Sequence, residues 1–430
     1  MSPEGPAVTP DDAGDANRKA LEGITAARPA LVDIRKANEV IAGLGPHDLL
    51  HAGPPLRDWS ESCGALRGAA AGTLMLAGVA ARLEDALDAA GSPPWLLRSG
   101  ADVDTLCTFG GVIGWNTPVF VVEDPLTGGR TFAAINEGRG AALRYGCTST
   151  DALERLRWLQ GEFADVLGAA VRSLGAVDLF ACIEQALQMG DDGHSRQKAS
   201  SALFLAAVAP AIAEAAPSPR QASRVIAFLG ANDFFFLPLA MAAAKNAMLA
   251  AQGNARSTLV TAIAFNGVRA GIRVGGLSGW WTAPVPPIHG SYFKGFGEPD
   301  AGPVIGDSEI METLGLGAFA MAGAPALARY VGGTVEQATA FTRAMYGIVL
   351  AEHPRFRIAA LDGRGTPLGI DVRKVVETRV APVFNSGIAH RCMGVGQIGA
   401  GHGRVPLACF DAAAVALRRQ SDRHEPGDAR

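Results

Sequence analysis

The chain is short of several things. No two of its six cysteines form a Cys-x-x-Cys pair: Cys63, Cys107, Cys147, Cys182, Cys392 and Cys409 lie far apart. That spacing argues against a structural zinc site and fits reduced thiols in the cytoplasm. Tyrosine is scarce, at four residues, and charged residues make up 19% of the chain, so a disordered or highly charged binding protein is excluded. The net charge of −4 excludes a strongly basic surface, and with it nucleic acid or an anionic membrane as the main partner. Long apolar runs are missing too. Gly68–Ala81, Ala199–Ala213 and Thr313–Ala328 carry no charge, but each is shorter than the ~18–20 residues of a membrane span. They are rich in alanine and glycine and read as buried helices. No basic, apolar and small-residue leader opens the sequence. There is no phosphate-binding P-loop, no H-E-x-x-H and no G-x-S-x-G.

Hydrophobic residues make up 48% of the 430 positions, enough for two or three well-filled cores. The reading is a mixed α/β chain: a disordered arm at 1–16, an N-terminal α/β domain at 17–150, a mainly helical domain at 151–255, a glycine-rich α/β domain at 256–418 and a polar tail at 419–430. Helix is expected over Asn17–Ala27, strand over Ala30–Ile34, and a helix or helix pair over Cys63–Ala90. Pro118–Glu123 and Arg130–Asn136 flank the turn signal Asp124-Pro125-Leu126-Thr127-Gly128-Gly129, which predicts a hairpin. Helices are expected over Asp151–Leu174, Asp178–Met189, Ser200–Ala216, Gln221–Leu229, Leu237–Ala251, Gly317–Tyr330, Thr334–Glu352 and Phe410–Arg418. Thr258–Phe265 and Gly271–Val274 read as strands. Val372–Val383 is open between strand and helix.

There are 53 glycines, and from about Ser257 onward they alternate with short polar residues. Glycine lets backbone approach a ligand, and a neighbouring Asn or Asp then points its polar atoms at it. Asn266 before Gly267 is one such residue. Gly394-Val395-Gly396-Gln397-Ile398-Gly399 fits G-x-G-x-x-G, but neither a clean strand before it nor a closing acidic residue supplies the dinucleotide-binding context. Asp191-Asp192-Gly193-His194-Ser195-Arg196 gathers carboxylates, an imidazole and a guanidinium. It reads either as an acid–base and anion site or as a capping cluster. Asn232-Asp233 is a polar pair between apolar runs, and Lys245 follows on the next helix. Arg273 needs an anionic partner, either a carboxylate of the chain or a ligand. Gly306-Asp307-Ser308-Glu309-Ile310-Met311-Glu312 brings three carboxylates to a helix start, as caps or as proton-moving groups. Asp371–Glu377, with Arg373 inside it, alternates charge with apolar residues. Asn385-Ser386-Gly387-Ile388-Ala389-His390 resembles an oxyanion or phosphate cradle.

Taken in order, His51–Pro55, Asn136-Glu137-Gly138, Met189-Gly190-Asp191, Asn232-Asp233, Leu259–Ala262, Gly271–Val274, Gly306-Asp307-Ser308, Gly369–Thr378 and Gly387–His390 resemble the YlbE-like family. That family includes the G subunit of oxamate carbamoyltransferase, and the match runs from about Asn17 to Leu417. The resemblance implies a soluble subunit acting with an FdrA-like protein and a third small subunit, as a homo- or hetero-oligomer. The reaction it implies moves a carbamoyl group between phosphate and a small amide or amine. Carbamoyl phosphate or a related small anion is then the expected ligand, with no cofactor required and magnesium permitted by the scattered carboxylates. On this basis His390, Asp307, Glu312 and His194 are expected to do the chemistry. Arg273, Arg373, Asn385, Ser386, Asn266, Asn136, Glu137, Asn232, Asp233 and Lys245 are expected to bind substrate. The chain departs from the family pattern at Phe265, at Asp104–Phe109 and at Ser278-Gly279-Trp280-Trp281. These changes would alter anion recognition.

Overall fold

A computed structural model describes residues 11–138 and 140–422. Residues 1–10 of the expected arm and 423–430 of the expected tail lie outside the described residues. Asp11–Ala26 is one helix, so the part of that arm from Asp11 to Ala16 is helical, and Ala16 is buried. At the other end, Leu407–Asp422 continues as helix through Arg419.

The first half is built on a mostly antiparallel sheet, ordered 105–106, 130–134, 118–123, 30–36 and 177–178. The hairpin between Pro118–Glu123 and Arg130–Ala134 is closed by its turn. The Asp124 carbonyl accepts from Gly128 N at 2.7 Å and its carboxylate from Leu126 N at 2.9 Å. Helices Ala164–Leu174 and Leu237–Met248 pack on this sheet. Phe120, Phe163, Phe204 and Phe235 are fully buried where sheet and helices meet. One hydrophobic core takes residues from both 17–150 and 151–255. Lys198–Ala215 is long and apolar enough to cross a membrane by length and composition alone. Here it packs against helices Ala164–Leu174, Leu179–Gln188 and Pro219–Ala231.

The second half has its own core and three antiparallel units. One sheet runs 281–284, 269–274, 260–266, 305–306, a second runs 289–292, 397–404, 383–389, and 349–358 forms a ribbon with 364–370. Here several expectations are corrected. Gly317–Tyr330 is three short turns rather than one helix, because Gly315 and Gly317 take positive φ (84° and 63°) and Pro325 restarts the chain. The helix from Val335 stops at Met345, and Val349–Ile358 is strand. Val372–Thr378 is a helix capped by Asp371, whose carboxylate accepts from Arg373 N at 2.8 Å. Asn385-Ser386-Gly387 lies in a strand, not a loop. The G-x-G-x-x-G run is a turn entering a strand. A Cβ on Gly399 would sit 2.4 Å from the Ser291 carbonyl oxygen, so that glycine serves strand packing.

Candidate functional site

Between the two halves lies a cavity of about 740 Å³. Its lining includes Thr108, Phe109, Asn136, Gly140, Arg144 and Tyr145 and the loop His194–Arg196 from the first half, and Ser308 with the strand residues Gly387 and Gln397 from the second. The loops are fixed from below by buried carboxylates.

Asp307 Oδ2 accepts from Cys107 N at 2.6 Å and Oδ1 from Thr108 N at 2.9 Å. That grip holds Thr108 and Phe109 at φ of 57° and 56°, a left-handed pair that a β-branched residue adopts only when held. Burial pushes Asp307 up to about 7, against the pull of those two donors. Glu137 does the same for the facing wall. Its carboxylate accepts from Leu143 N at 2.6 Å and Arg144 N at 2.9 Å, and so shapes the loop that presents Arg144.

His194 Nδ1 lies 3.0 Å from Glu312 Oε1, with both side chains buried. Burial alone would lower the imidazole. The charge and hydrogen bond of Glu312, helped by Glu309 and Asp192, outweigh it and hold His194 at about 9. His194 is therefore an imidazolium at neutral pH. The same Glu312 oxygen accepts from Ala318 N at 3.0 Å and Asn385 N at 3.4 Å. This crowding explains Gly317: a Cβ there would come 2.2 Å from Glu312 Oε1. Asp192 accepts from the backbone N–H of His194 at 3.0 Å and Arg196 at 2.8 Å, and from Asn385 Nδ2 at 3.1 Å. Asp191 accepts from Arg196 Nη1 at 2.6 Å and from Ser200 N at 2.9 Å. In the 191–196 cluster the aspartates cap and brace, while His194 and Arg196 line the cavity.

Asn136 lines the cavity, donates to the Phe234 carbonyl at 2.9 Å, and accepts from Asn232 Nδ2 at 3.2 Å. Asn232 and Asp233 act behind the wall: the Asp233 carbonyl accepts from Ser201 Oγ at 3.2 Å, and Asn232 Oδ1 from Phe234 N at 3.2 Å. Of these candidates His194 and Asn136 line the cavity; Asp307, Glu312, Glu137, Asn385 and Asn232 lie behind it in the hydrogen-bond network of its wall, and Ser386 and Asp233 adjoin the lining residues Gly387 and Phe234.

The other candidates sit apart from it. Arg273 donates to the Ala101 carbonyl at 2.8 Å and pairs with Asp102 at 3.6 Å. Lys245 is buried against Asp104 at 3.0 Å and Gln252 at 2.7 Å. Both cations are thus met by groups of their own chain, which corrects the expectation that they bind substrate. Arg373 is bound to Asp371 at 2.8 Å and is half exposed. Asn266 shapes a turn, donating to the Pro54 carbonyl at 2.8 Å and accepting from Val268 N at 2.9 Å. His390 Nδ1 accepts from Cys392 N at 2.9 Å, and its ring meets Phe296. None of these five lines the cavity.

Two cavity cations were absent from the expected set. Arg196 stood inside a run already singled out. Arg144 carried no local signal except the Glu137 that grips its N–H. Its Nη2 donates to the Gly138 carbonyl at 2.9 Å, its guanidinium stacks 4.9 Å from the Tyr145 ring centre, and its Nη1 is buried without a hydrogen-bond partner among the described residues. Among the described residues, no group of three or more His, Cys, Asp or Glu side chains stands in metal-binding geometry.

Fold and site together define a mixed α+β protein with a cation-lined pocket suited to a small anion. The family model for oxamate carbamoyltransferase subunit AllG matches residues 96–308. The chain is 41% identical over 413 residues to oxamate carbamoyltransferase subunit AllG of Escherichia coli K12, covering 94% of this chain and 97% of that one. It is 38% identical over 404 residues to the uncharacterized protein YahG of the same strain, covering 94% and 85%. A crystal structure of a conserved protein of unknown function from Enterococcus faecalis V583 superposes with a TM-score of 0.93 at 37% identity, over 95% of this chain and 98% of that one. The chain belongs to the AllG family of oxamate carbamoyltransferase subunits.

Proposed function

We propose that the cavity holds carbamoyl phosphate, and that the chain takes part in moving its carbamoyl group to and from a small amide of the oxamate type. The observation that carries this reading is an imidazolium, His194, on the same cavity wall system as the guanidinium groups of Arg144 and Arg196. Three cations facing an enclosed space of this size suit a phosphate with an attached small group.

The acceptor nitrogen forms the new C–N bond, the carbamoyl C–O bond to phosphate breaks, and phosphate leaves with the electron pair. Arg144 and Arg196 hold the phosphate oxygens as charge builds on them. His194 gives its proton to the departing phosphate and regains one from the acceptor nitrogen. Asp307 and Glu312 do not touch substrate in this scheme. They fix the Thr108 loop and the imidazole. An FdrA-like subunit and a third small subunit are proposed as partners, in the cytoplasm. A second reading, in which the chain completes a site on such a partner, is favoured by Phe293 and Val395. Both line the cavity and stay 42% and 45% exposed.

Calorimetric titration of the purified chain with carbamoyl phosphate and with inorganic phosphate tests the proposal. Binding by the wild type and its loss in Arg144→Gln and His194→Ala is the expected result. Unchanged binding in both variants would refute the site. Phosphate release only when the FdrA-like partner is added would favour the second reading.

A further inference from the structure

Behind the cavity wall several buried polar atoms have no hydrogen-bond partner among the described residues. Glu309 is fully buried, and neither carboxyl oxygen has a hydrogen-bond partner among the described residues. Glu312 Oε2, Asn385 Oδ1 and Ser386 Oγ are also buried and unpartnered. Glu309 shares its short segment with Asp307 and Glu312, and all three side chains are buried. An ionised carboxylate with no donor, beside two other carboxylates, is the costliest arrangement for a buried acid. A neutral acid removes the charge and supplies an O–H donor.

We propose that Glu309 is carried as a neutral carboxylic acid and that, by taking or releasing its proton, it sets the charge on His194 at the cavity wall.

The surroundings support this. Asp192 and His194 come from the 191–196 loop. Strands 260–266 and 383–389 contribute no ionisable side chain. Helix Leu237–Met248 has one charged residue, Lys245, whose ammonium is held by Asp104 and Gln252. Strand 364–370 has Arg364, paired outward with Glu352. Arg196, on the same loop as His194, is paired with Asp191 at 2.6 Å, and His194 is the cation whose charge opposes the rise in Glu309. Burial raises Glu309 most, His194 pulls it back, and Glu312 and Asp307 add to the rise, leaving it at about 8. Its charge in turn helps hold the His194 proton. As pH rises through about 8, Glu309 ionises and the imidazolium is retained longer than it otherwise would be. Glu309 is a positioning residue here: it acts through His194 and touches no substrate. The role rests on the proposed use of His194, but its test does not.

The test uses the full chain with no carbamoyl phosphate present. Infrared difference spectra between pH near 6 and near 10 read the carbonyl band of protonated carboxyls. With eight histidines in the chain, His194 is assignable by NMR. Glu309→Gln should fold and keep near-wild-type stability at pH 7, because glutamine mimics the neutral acid. It should lose part of the protonated-carboxyl band that Asp307→Asn retains. It should also move the His194 midpoint down by on the order of one pH unit. A Glu309→Gln chain that fails to fold would mean the site needs the anion, and would overturn the proposal. An unchanged band with an unmoved His194 midpoint would also overturn it. Failure of the carbamoyl-transfer reading would leave all of these readouts intact.

Discussion

Replacing Glu312 by glutamine should destabilise the protein at neutral pH and hardly at all in alkali. The His194 imidazole is raised from 6.5 to about 9 in the folded chain, with Glu312 the main group opposing burial. A raised pKa means that the folded state binds the proton more tightly. The stabilisation is complete below the unfolded value of 6.5 and is lost as pH rises through about 9. Evaluated at pH 7, it is about 2.5 kcal/mol. By pH 9.5 it has fallen to roughly 0.2 kcal/mol. Glutamine keeps an oxygen for Ala318 N and Asn385 N, so the variant removes the charge and spares the backbone bonds. Urea midpoints of wild type and Glu312→Gln at the two pH values give the comparison, repeated in a Glu309→Gln background because Glu309 titrates at about 8 and is coupled to both residues. A neutral hydrogen bond between the two residues would instead contribute ~1 kcal/mol at both pH values. A difference that does not shrink between pH 7 and 9.5 would refute the imidazolium.

Three further changes test the frame around the site. Gly317→Ala puts a Cβ 2.2 Å from Glu312 Oε1 on a residue at φ 63°. It should cost at least ~1–2 kcal/mol in a urea titration and also lower the His194 midpoint by NMR. Phe235→Ala empties a fully buried position ringed by Phe120, Phe163, Phe204 and Phe228. A loss of roughly 3–5 kcal/mol is expected from chemical denaturation. Arg373→Ala removes a half-exposed pair with Asp371 away from the cavity. It should lower stability by less than ~1 kcal/mol and leave phosphate binding unchanged by calorimetry.

What could be read from the sequence was what is decided within a few residues. The hairpin at Asp124–Gly129 was legible because the turn's hydrogen bonds all close inside it. The glycine-rich strands were not. Gly399, Gly401 and Gly403 have no side chains to alternate, and their strand is held by pairing with Val383–Ala389 on one side and, over a hundred residues earlier, His289–Tyr292 on the other. Charge pairing was left open for a related reason. Arg273 needed either a carboxylate of the chain or a ligand, and its partners, Asp102 and the Ala101 carbonyl, lie about 170 positions upstream. The site repeats the pattern in a more useful form. His194 and Glu312 each resembled a helix-end cap, and 118 positions separate them. Only when the second half folds onto the first does Glu312 reach the imidazole, and only then is the imidazole charged. Arg144 is the same case in miniature, since the residue that aims it, Glu137, accepts from the Arg144 backbone N–H at 2.9 Å and also pairs with its guanidinium at 4.0 Å. The groups that face the cavity are therefore held by carboxylates that do not line it, so losing Glu312 should lower the His194 pKa, and losing Asp307 or Glu137 should release the loops that present Thr108 and Arg144.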